Sequence, residues 1–415
     1  TELDRIGRQI GVDALERADR SDRQTLLKWA GQSENLGRLQ AMKELAKGYL
    51  EVPRSKLDED AMLLCVANGV VDLRTGQLLP PTPGRLLTRL APIRYDPTAT
   101  SPRWLETLAW AFGDNYALKD YVQRALGYCL TGLTGERCFF FCIGSAGQNG
   151  KSTLLESFRR ILGNYAGSAD TRAIMSEETS SFALSSLAQM VGVRFLELSE
   201  ASGNMRLNEA LLKRVTGGDT LSVKHLYKEA FTYTPLFKLW FRSNARPRVS
   251  ETTNPIWDRM KVVPFHNQIP EDKRRGHDEV IAEIVEQGSG VLNWALAGLR
   301  EFQLRGKLDE PAVIRTSVLE YRREENTLRT LLLETCDFNQ EYETTSAILY
   351  RTLQSWIKAN GMRFSFSQRG FTYQLQELKD DLGIDVLGET SDRSKKIKGV
   401  RPRQSRRDGM FDLER

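Results

Sequence analysis

Cys138-Phe-Phe-Phe-Cys-Ile-Gly144-Ser-Ala-Gly147-Gln-Asn-Gly150-Lys-Ser-Thr153 is the stretch on which the reading of this chain turns. An apolar run, a glycine-rich turn and a helical pattern over 151–162 follow one another. That strand–loop–helix order is the context in which a phosphate-loop pattern carries meaning. Glycines let backbone N–H groups converge on phosphate oxygens, and the helix N-terminus adds the positive end of its dipole. Gly147, Asn149, Gly150, Lys151, Ser152 and Thr153 are the candidate nucleotide-binding residues. Lys151 would reach the terminal phosphates, and the Ser152 hydroxyl would hold Mg²⁺. The register is imperfect: the strict pattern places a glycine at 145, where this chain has Ser145, with Gly144 one position earlier. A glycine turn with no ligand is the bland alternative, and the Gly-Lys-Ser-Thr opening of the helix weighs against it.

The rest of the composition sets bounds. The 415 residues suffice for two to four domains, and 40% hydrophobic with 27% charged residues is ordinary for a globular protein. No apolar stretch approaches the ~20 residues of a membrane span, and no signal-peptide layout opens the chain. The expectation is a cytoplasmic protein of a bacterium or phage-infected host. The first residue is Thr1, which is read as the mark of a fragment of a longer chain. Five cysteines, mostly in apolar runs, suit a reducing compartment, and Cys138 and Cys142 lack the matching pair a zinc site needs. The net charge of +5 is mild. Its distribution is less so: Arg393, Lys395, Lys396, Lys398, Arg401, Arg403, Arg406 and Arg407 fall in one run without an acidic residue. Such a run is a solvated tail or a polyanion contact.

Periodicity divides the chain into 1–132, a mainly helical N-terminal or collar domain with a β-hairpin; 133–305, a motor; and 306–415, a helical, winged-helix-like basic domain. Residues 1–50 read as amphipathic helices, 68–79 as a hairpin and 104–130 as helix. From 138 onward, strands (138–143, 193–198, 237–242, 261–264) alternate with helices (151–162, 180–190, 207–216). That pattern predicts an α/β domain with a mainly parallel sheet. Residues 220–234 read as an inserted hairpin. After helices over 271–304, a charged segment beyond 310 leads to helices at 327–335, 345–359 and 367–378 and a basic, strand-like end.

A triphosphatase also needs an acid to hold the metal and polarise water. Glu200, where the apolar run 193–198 gives way to Ser199-Glu200, is the candidate for both roles. Glu197 reads as a surface residue in preference to an extra ligand around the metal. Asn244, at the tip of Lys238-Leu-Trp-Phe-Arg-Ser-Asn244, can contact the γ-phosphate or orient the attacking water, or can simply cap a turn. Arg259, in Ile256-Trp-Asp-Arg259, could reach a neighbouring subunit's nucleotide or pair locally with Asp258.

Gly150-Lys-Ser-Thr153, Ser199-Glu200, Leu207-Asn-Glu-Ala-Leu-Leu-Lys213, Thr216-Gly-Gly-Asp219, Asn244-Ala-Arg-Pro247, Ile256-Trp-Asp-Arg259 and Val263-Pro-Phe265 together resemble the superfamily 3 helicases. The nearest likeness is to the helicase part of phage and plasmid primase–helicases, with their poxvirus-type relatives. Asn68-Gly-Val-Val-Asp-Leu and Leu126-Gly-Tyr-Cys-Leu-Thr-Gly132 resemble the domain before the motor in that family. The likeness covers roughly 60–270 well and both ends weakly. It implies an AAA+-like fold in a ring-forming, hexameric, ATP-driven helicase acting on single-stranded and forked DNA. Lys151, Ser152, Glu200 and Asn244 would act in cis and Arg259 in trans as an arginine finger. The inserted hairpin would grip DNA with Lys224, His225 and Lys228, Tyr227 stacking on a base, the bland alternative being a solvated turn. An ATP-switched replication initiator and a ring with a regulatory ATPase stay open as alternatives. A primase or polymerase domain would lie upstream on the longer chain.

Overall fold

A computed structural model describes residues 9, 12, 16, 25, 28, 29, 31, 32, 35–49, 51–53, 56–144, 147–175, 181–199, 206–225, 228–244, 246–249, 254–361, 367–389 and 394–403. The chain divides into two units, 1–59 with 82–88 and 60–81 with 89–415. In the smaller unit, helix α1 (Leu36–Tyr49) buries no residue. Leu36, Leu45 and Tyr49 are exposed. A helix thus stands where one is expected, with Leu39 half-buried and the other large apolar side chains of α1 exposed.

The larger unit begins with an antiparallel meander, β1 (Leu63–Val66), β2 (Gly69–Asp72) and β3 (Gln77–Leu79). It extends the expected hairpin by one strand. Helices α2 (Pro102–Phe112) and α3 (Tyr116–Cys129) follow, the second capped by the Asn115 side chain accepting from the Leu118 amide.

Strand β4 (Phe139–Ile143) then opens the motor, and α4 (Lys151–Leu162) follows its loop. β5 (Ala166–Asp170), α5 (Arg172–Met175), α6 (Ser181–Ala188) and β6 (Phe195–Ser199) come next. After α7 (Glu209–Gly217), the antiparallel hairpin β7 (Leu221–Lys224) and β8 (Ala230–Tyr233) precedes β9 (Lys238–Ser243), α8 (Asn254–Trp257) and β10 (Met260–Pro264).

Five of these strands form one sheet in the order β10-β4-β9-β6-β5, every neighbouring pair parallel. A parallel sheet is covered on both faces, so its strands read as continuous apolar runs. Phe139, Phe140 and Phe141 are all buried. On one face Phe140 stacks on Trp240 at 4.2 Å, and on the other Phe141 stacks on Phe241 at 4.3 Å. The strand that sequence reading missed is β5. Ala-Gly-Ser-Ala-Asp carries no apolar pattern, and as an edge strand it is held by backbone pairing to β6.

Lys238, at the start of β9, is buried, and its ammonium donates to the carbonyls of Thr131 (2.5 Å), Leu133 (3.2 Å) and Leu236 (3.2 Å). Burial pulls it down to about 7, with Arg194 adding to the shift and Cys129 and Cys138 opposing it. Between that value and the ordinary lysine range the unfolded chain binds the extra proton, so stability rises with pH. From pH 7 to pH 9 the gain is about 2 kcal/mol. Urea unfolding of wild type and Lys238→Met at both pH values checks this. The variant should lack the gain, and equal slopes would refute the assignment.

Beyond the sheet lie α9 (His277–Glu286), α10 (Gly288–Arg305) and α11 (Ala312–Glu325). Reading the segment after 310 as a charged connector missed α11. Arg315, Glu320, Arg323 and Glu324 are exposed, Glu325 is half-buried and accepts from the Val249 amide at 3.0 Å, and Tyr321 packs edge-on against Trp257 at 5.4 Å and donates to the Pro247 carbonyl. The end of the chain runs α12 (Thr327–Thr335), β11 (Cys336–Thr345), α13 (Ser346–Ala359), α14 (Gln368–Glu377), α15 (Lys379–Leu382), β12 (Asp385–Glu389) and β13 (Lys395–Pro402), with β13 central in its sheet. This order, a helix and a strand followed by three helices, the last a single turn, and two strands, is winged-helix-like around Leu331, Leu349, Phe371 and Ile397. Several cations of the basic run have local partners there. Lys396 pairs with Glu343 at 2.7 Å, Arg403 with Asp337 at 3.0 Å, and Arg401 lies 3.8 Å from the Tyr342 ring centre. Arg393, Arg406 and Arg407 lie outside the described residues. Among the described residues no helix is long and apolar enough to cross a membrane.

Candidate functional site

Ile143 at the end of β4 is level with Ser243 near the end of β9. The glycine-rich loop and the tip of β9 therefore leave the sheet side by side. Lys151, the first residue of α4, is only 4% exposed. Its ammonium donates to the Gly144 carbonyl at 2.8 Å and to Asn244 Oδ1 at 3.0 Å. Asn149 is also buried, with Nδ2 3.4 Å from the Phe265 carbonyl. The glycine that stands one place early has a steric reason. A Cβ on Gly144 would lie 2.4 Å from both Asn149 Nδ2 and the Phe265 carbonyl, and 3.1 Å from Lys151 Nζ. The chain after β10 laces onto this loop: the amide of Phe265 donates to Ile143 at 2.7 Å and that of Ile269 to Gln148 at 2.9 Å.

A pocket of about 570 Å³ opens at the first turn of α4. Its walls include Gln148–Thr153, Thr107 and Trp110 of α2, Arg242 of β9, and Ile269, Lys273, Arg274, Arg275, His277 and Val280. Among the described lining residues Lys151, Arg242, Lys273, Arg274 and Arg275 face Glu156 as the one acid, so this lining suits a polyanion. Arg242 is held by Glu197. That carboxylate is 4% exposed, with Oε2 2.9 Å from Arg159 Nε and Oε1 3.4 Å from Arg242 Nη1. The expectation that Glu197 is a surface residue is thus overturned, because both faces of a central parallel strand are covered. Burial also pushes the Cys138 and Cys142 thiols up, leaving them as apolar packing around β4. Among the described residues no group of three or more histidines, cysteines or acids could hold a metal ion.

The other candidate residues are distributed unevenly. Glu200 lies outside the described residues. Ser199 before it is level with Arg242, so the chain leaves β6 at the sheet edge that carries the loop. Arg259 sits at the opposite edge, preceding Met260, which pairs with Phe139 at the start of β4. Its Nη1 donates to the Lys213 carbonyl at 2.9 Å and to Thr216 Oγ1 at 2.8 Å, capping the end of α7 instead of pairing with Asp258. Lys224 ends β7 opposite Ala230. Leu221 and Val223 are buried, which turns Ser222 and Lys224 outward. His225 and Lys228 close the turn, the Lys228 amide donating to the His225 carbonyl at 3.1 Å, and the His225 ring lies 5.4 Å from Phe231. Tyr227 lies outside the described residues.

The structure thus brings Lys151, Asn149 and Asn244 together, and places Arg259 and the hairpin elsewhere. Sequence reading passed over Arg242, although an arginine within an apolar strand was a visible signal. Thr107, Trp110 and 273–277 carried no such signal, because they come from elements remote from the loop.

Two family models match parts of the chain: "D5 N terminal like" over residues 2–113, and "Family of unknown function (DUF5906)" over 142–259. A protein of Acanthamoeba polyphaga mimivirus named "Putative helicase" is 26% identical over 336 residues, 73% of this chain and 34% of the relative. A protein of the same name from Frog virus 3 is 24% identical over 272 residues, 62% of this chain and 28% of the relative. The chain spans about a third of the length of these relatives. Among solved structures, the apo C-terminal region of NrS-1 has a TM-score of 0.47 at 13% identity, covering 84% of this chain and 78% of that one. The chain is thus similar to the D5-type N-terminal model over its first quarter and, over most of its length, to viral proteins named as helicases.

Proposed function

We propose that this chain is an ATP-driven DNA helicase motor of replication, in which subunits assemble into a ring and nucleotide binds at their interfaces. The observation that carries the reading is the buried Lys151 ammonium, held between the Gly144 carbonyl and Asn244 at the mouth of a basic pocket. Phosphate oxygens are stronger partners for a full positive charge than a carbonyl or an amide oxygen, so a nucleotide would draw the lysine from these two acceptors. The loop amides and the N-terminus of α4 would hold the phosphates, and Asn244 would orient the attacking water. The Ser152 hydroxyl and the Glu200 carboxylate would hold Mg²⁺, which when bound draws charge off the phosphates. In this reading Arg259 serves a neighbouring subunit. Its position off its own pocket supports that role, and assembly would trade its two contacts on α7 for a phosphate.

DNA would be gripped by the β7–β8 turn, where exposed Lys224 and Lys228 flank His225. Lys224→Ala combined with His225→Ala is expected to leave ATP hydrolysis within about twofold and to lower unwinding of a forked duplex by roughly tenfold or more. Strand displacement measured beside phosphate release checks this, and unchanged unwinding would remove the hairpin from the mechanism. The winged-helix end of the chain favours a second reading, an initiator that opens an origin without processive unwinding. Wild-type protein that hydrolyses ATP yet never displaces a strand would decide for that reading.

A further inference from the structure

We infer that Trp110, with Ile269 and Val280, forms the base-binding end of the nucleotide pocket and stacks the base on its indole. This deepens the reading of that pocket as a nucleotide site and rests on it. The pocket lining combines two chemistries. The glycine-rich loop, Lys151 and the arginines suit phosphates. Among the residues lining the pocket, Trp110, Ile269 and Val280 are the large apolar ones. Trp110 is half-buried, and among the described residues no aromatic ring pairs with it. A half-buried indole lining a pocket that suits a polyanion is a candidate platform for a planar base.

The three residues come from separate elements that are tied together. Helix α2 lies against the loop: a Cβ on Gly150 would be 3.5 Å from Ala111 Cβ and 3.8 Å from Thr107 Cγ2. α2 is joined to α9 by Glu283, which accepts from Arg103 Nε at 3.0 Å and from Arg275 Nη1 at 2.8 Å. Those two guanidiniums, Arg103 foremost, hold the Glu283 carboxyl below the usual range. The segment bearing Ile269 is fixed through its amide to Gln148 at 2.9 Å. Trp110, Ile269 and Val280 are thus presented by anchored elements, as stacking without prior rearrangement requires.

Calorimetry on the full chain with Mg²⁺, using ATP and inorganic tripolyphosphate as ligands, tests the assignment. Trp110→Ala should weaken ATP binding roughly 5- to 100-fold and leave tripolyphosphate within twofold, and Trp110→Phe should restore ATP binding. Unchanged ATP affinity in Trp110→Ala would overturn the base site while leaving the nucleotide reading in place. Equal weakening of both ligands would overturn it too, by showing a merely structural role. Wild-type protein that binds neither ligand would overturn the nucleotide reading and this inference with it.

Discussion

Lys151→Ala is expected to abolish nearly all nucleotide hydrolysis, lowering kcat/KM by roughly 10²–10³-fold, the scale at which a lost charge-stabilising donor is felt in a transition state. The lysine is the one cation that stands both on the first turn of α4 and within reach of Asn244. Its loss leaves the Gly144 carbonyl and the Asn244 amide oxygen without their donor, which costs about 1–2 kcal/mol. That is a small part of a typical domain's stability, so circular dichroism and thermal melting should stay close to wild type. Phosphate-release kinetics decide the matter. A variant that is folded and fully active would sink the site assignment.

Gly298→Ala is expected to have the largest effect on stability, about 3 kcal/mol or more. Helices α3 and α10 cross with their backbones in contact. A Cβ on Gly298 would lie 2.1 Å from the Gln123 carbonyl oxygen, and one on Gly127 would lie 2.4 Å from both the Ala295 oxygen and the Leu299 nitrogen. The obstructing atoms are main-chain, so no rotamer change relieves the clash, and the helices must separate. In an exposed helix the same substitution stabilises by about 1 kcal/mol; the reversed sign is the signature of the close crossing. Urea midpoints for Gly298→Ala and Gly127→Ala measure it, and a midpoint equal to or above wild type for either would refute the packing.

How much was legible differed from element to element. The motor strands β4, β6, β9 and β10 and helix α4 stood out because their patterns are local, apolar runs closed by polar tips. β5 did not, since Ala166–Asp170 is held by hydrogen bonds to β6 that leave no mark on side-chain type. Glu197 was misread for a related reason. A carboxylate in a strand reads as surface until its two arginines, one on α4 and one on β9, are brought to it by the fold. The helix Ala312–Glu325 was hidden by its many charges, most of them exposed.

The run from Cys138 to Thr153 determined by itself that a strand, a phosphate-type loop and a helix follow in that order, because each depends on neighbours within a few residues. It also specified which lysine stands at the helix start. Only the tertiary structure decided what that lysine faces. Asn244, Arg242, Trp110 and the 269–280 segment are far from the loop in sequence. Their convergence follows from strand order and helix packing, which depend on contacts between distant residues that no local pattern records. The same holds for Gly144. The sequence shows a glycine out of register, and the fold supplies the Phe265 carbonyl and Asn149 amide that leave no room there for a side chain.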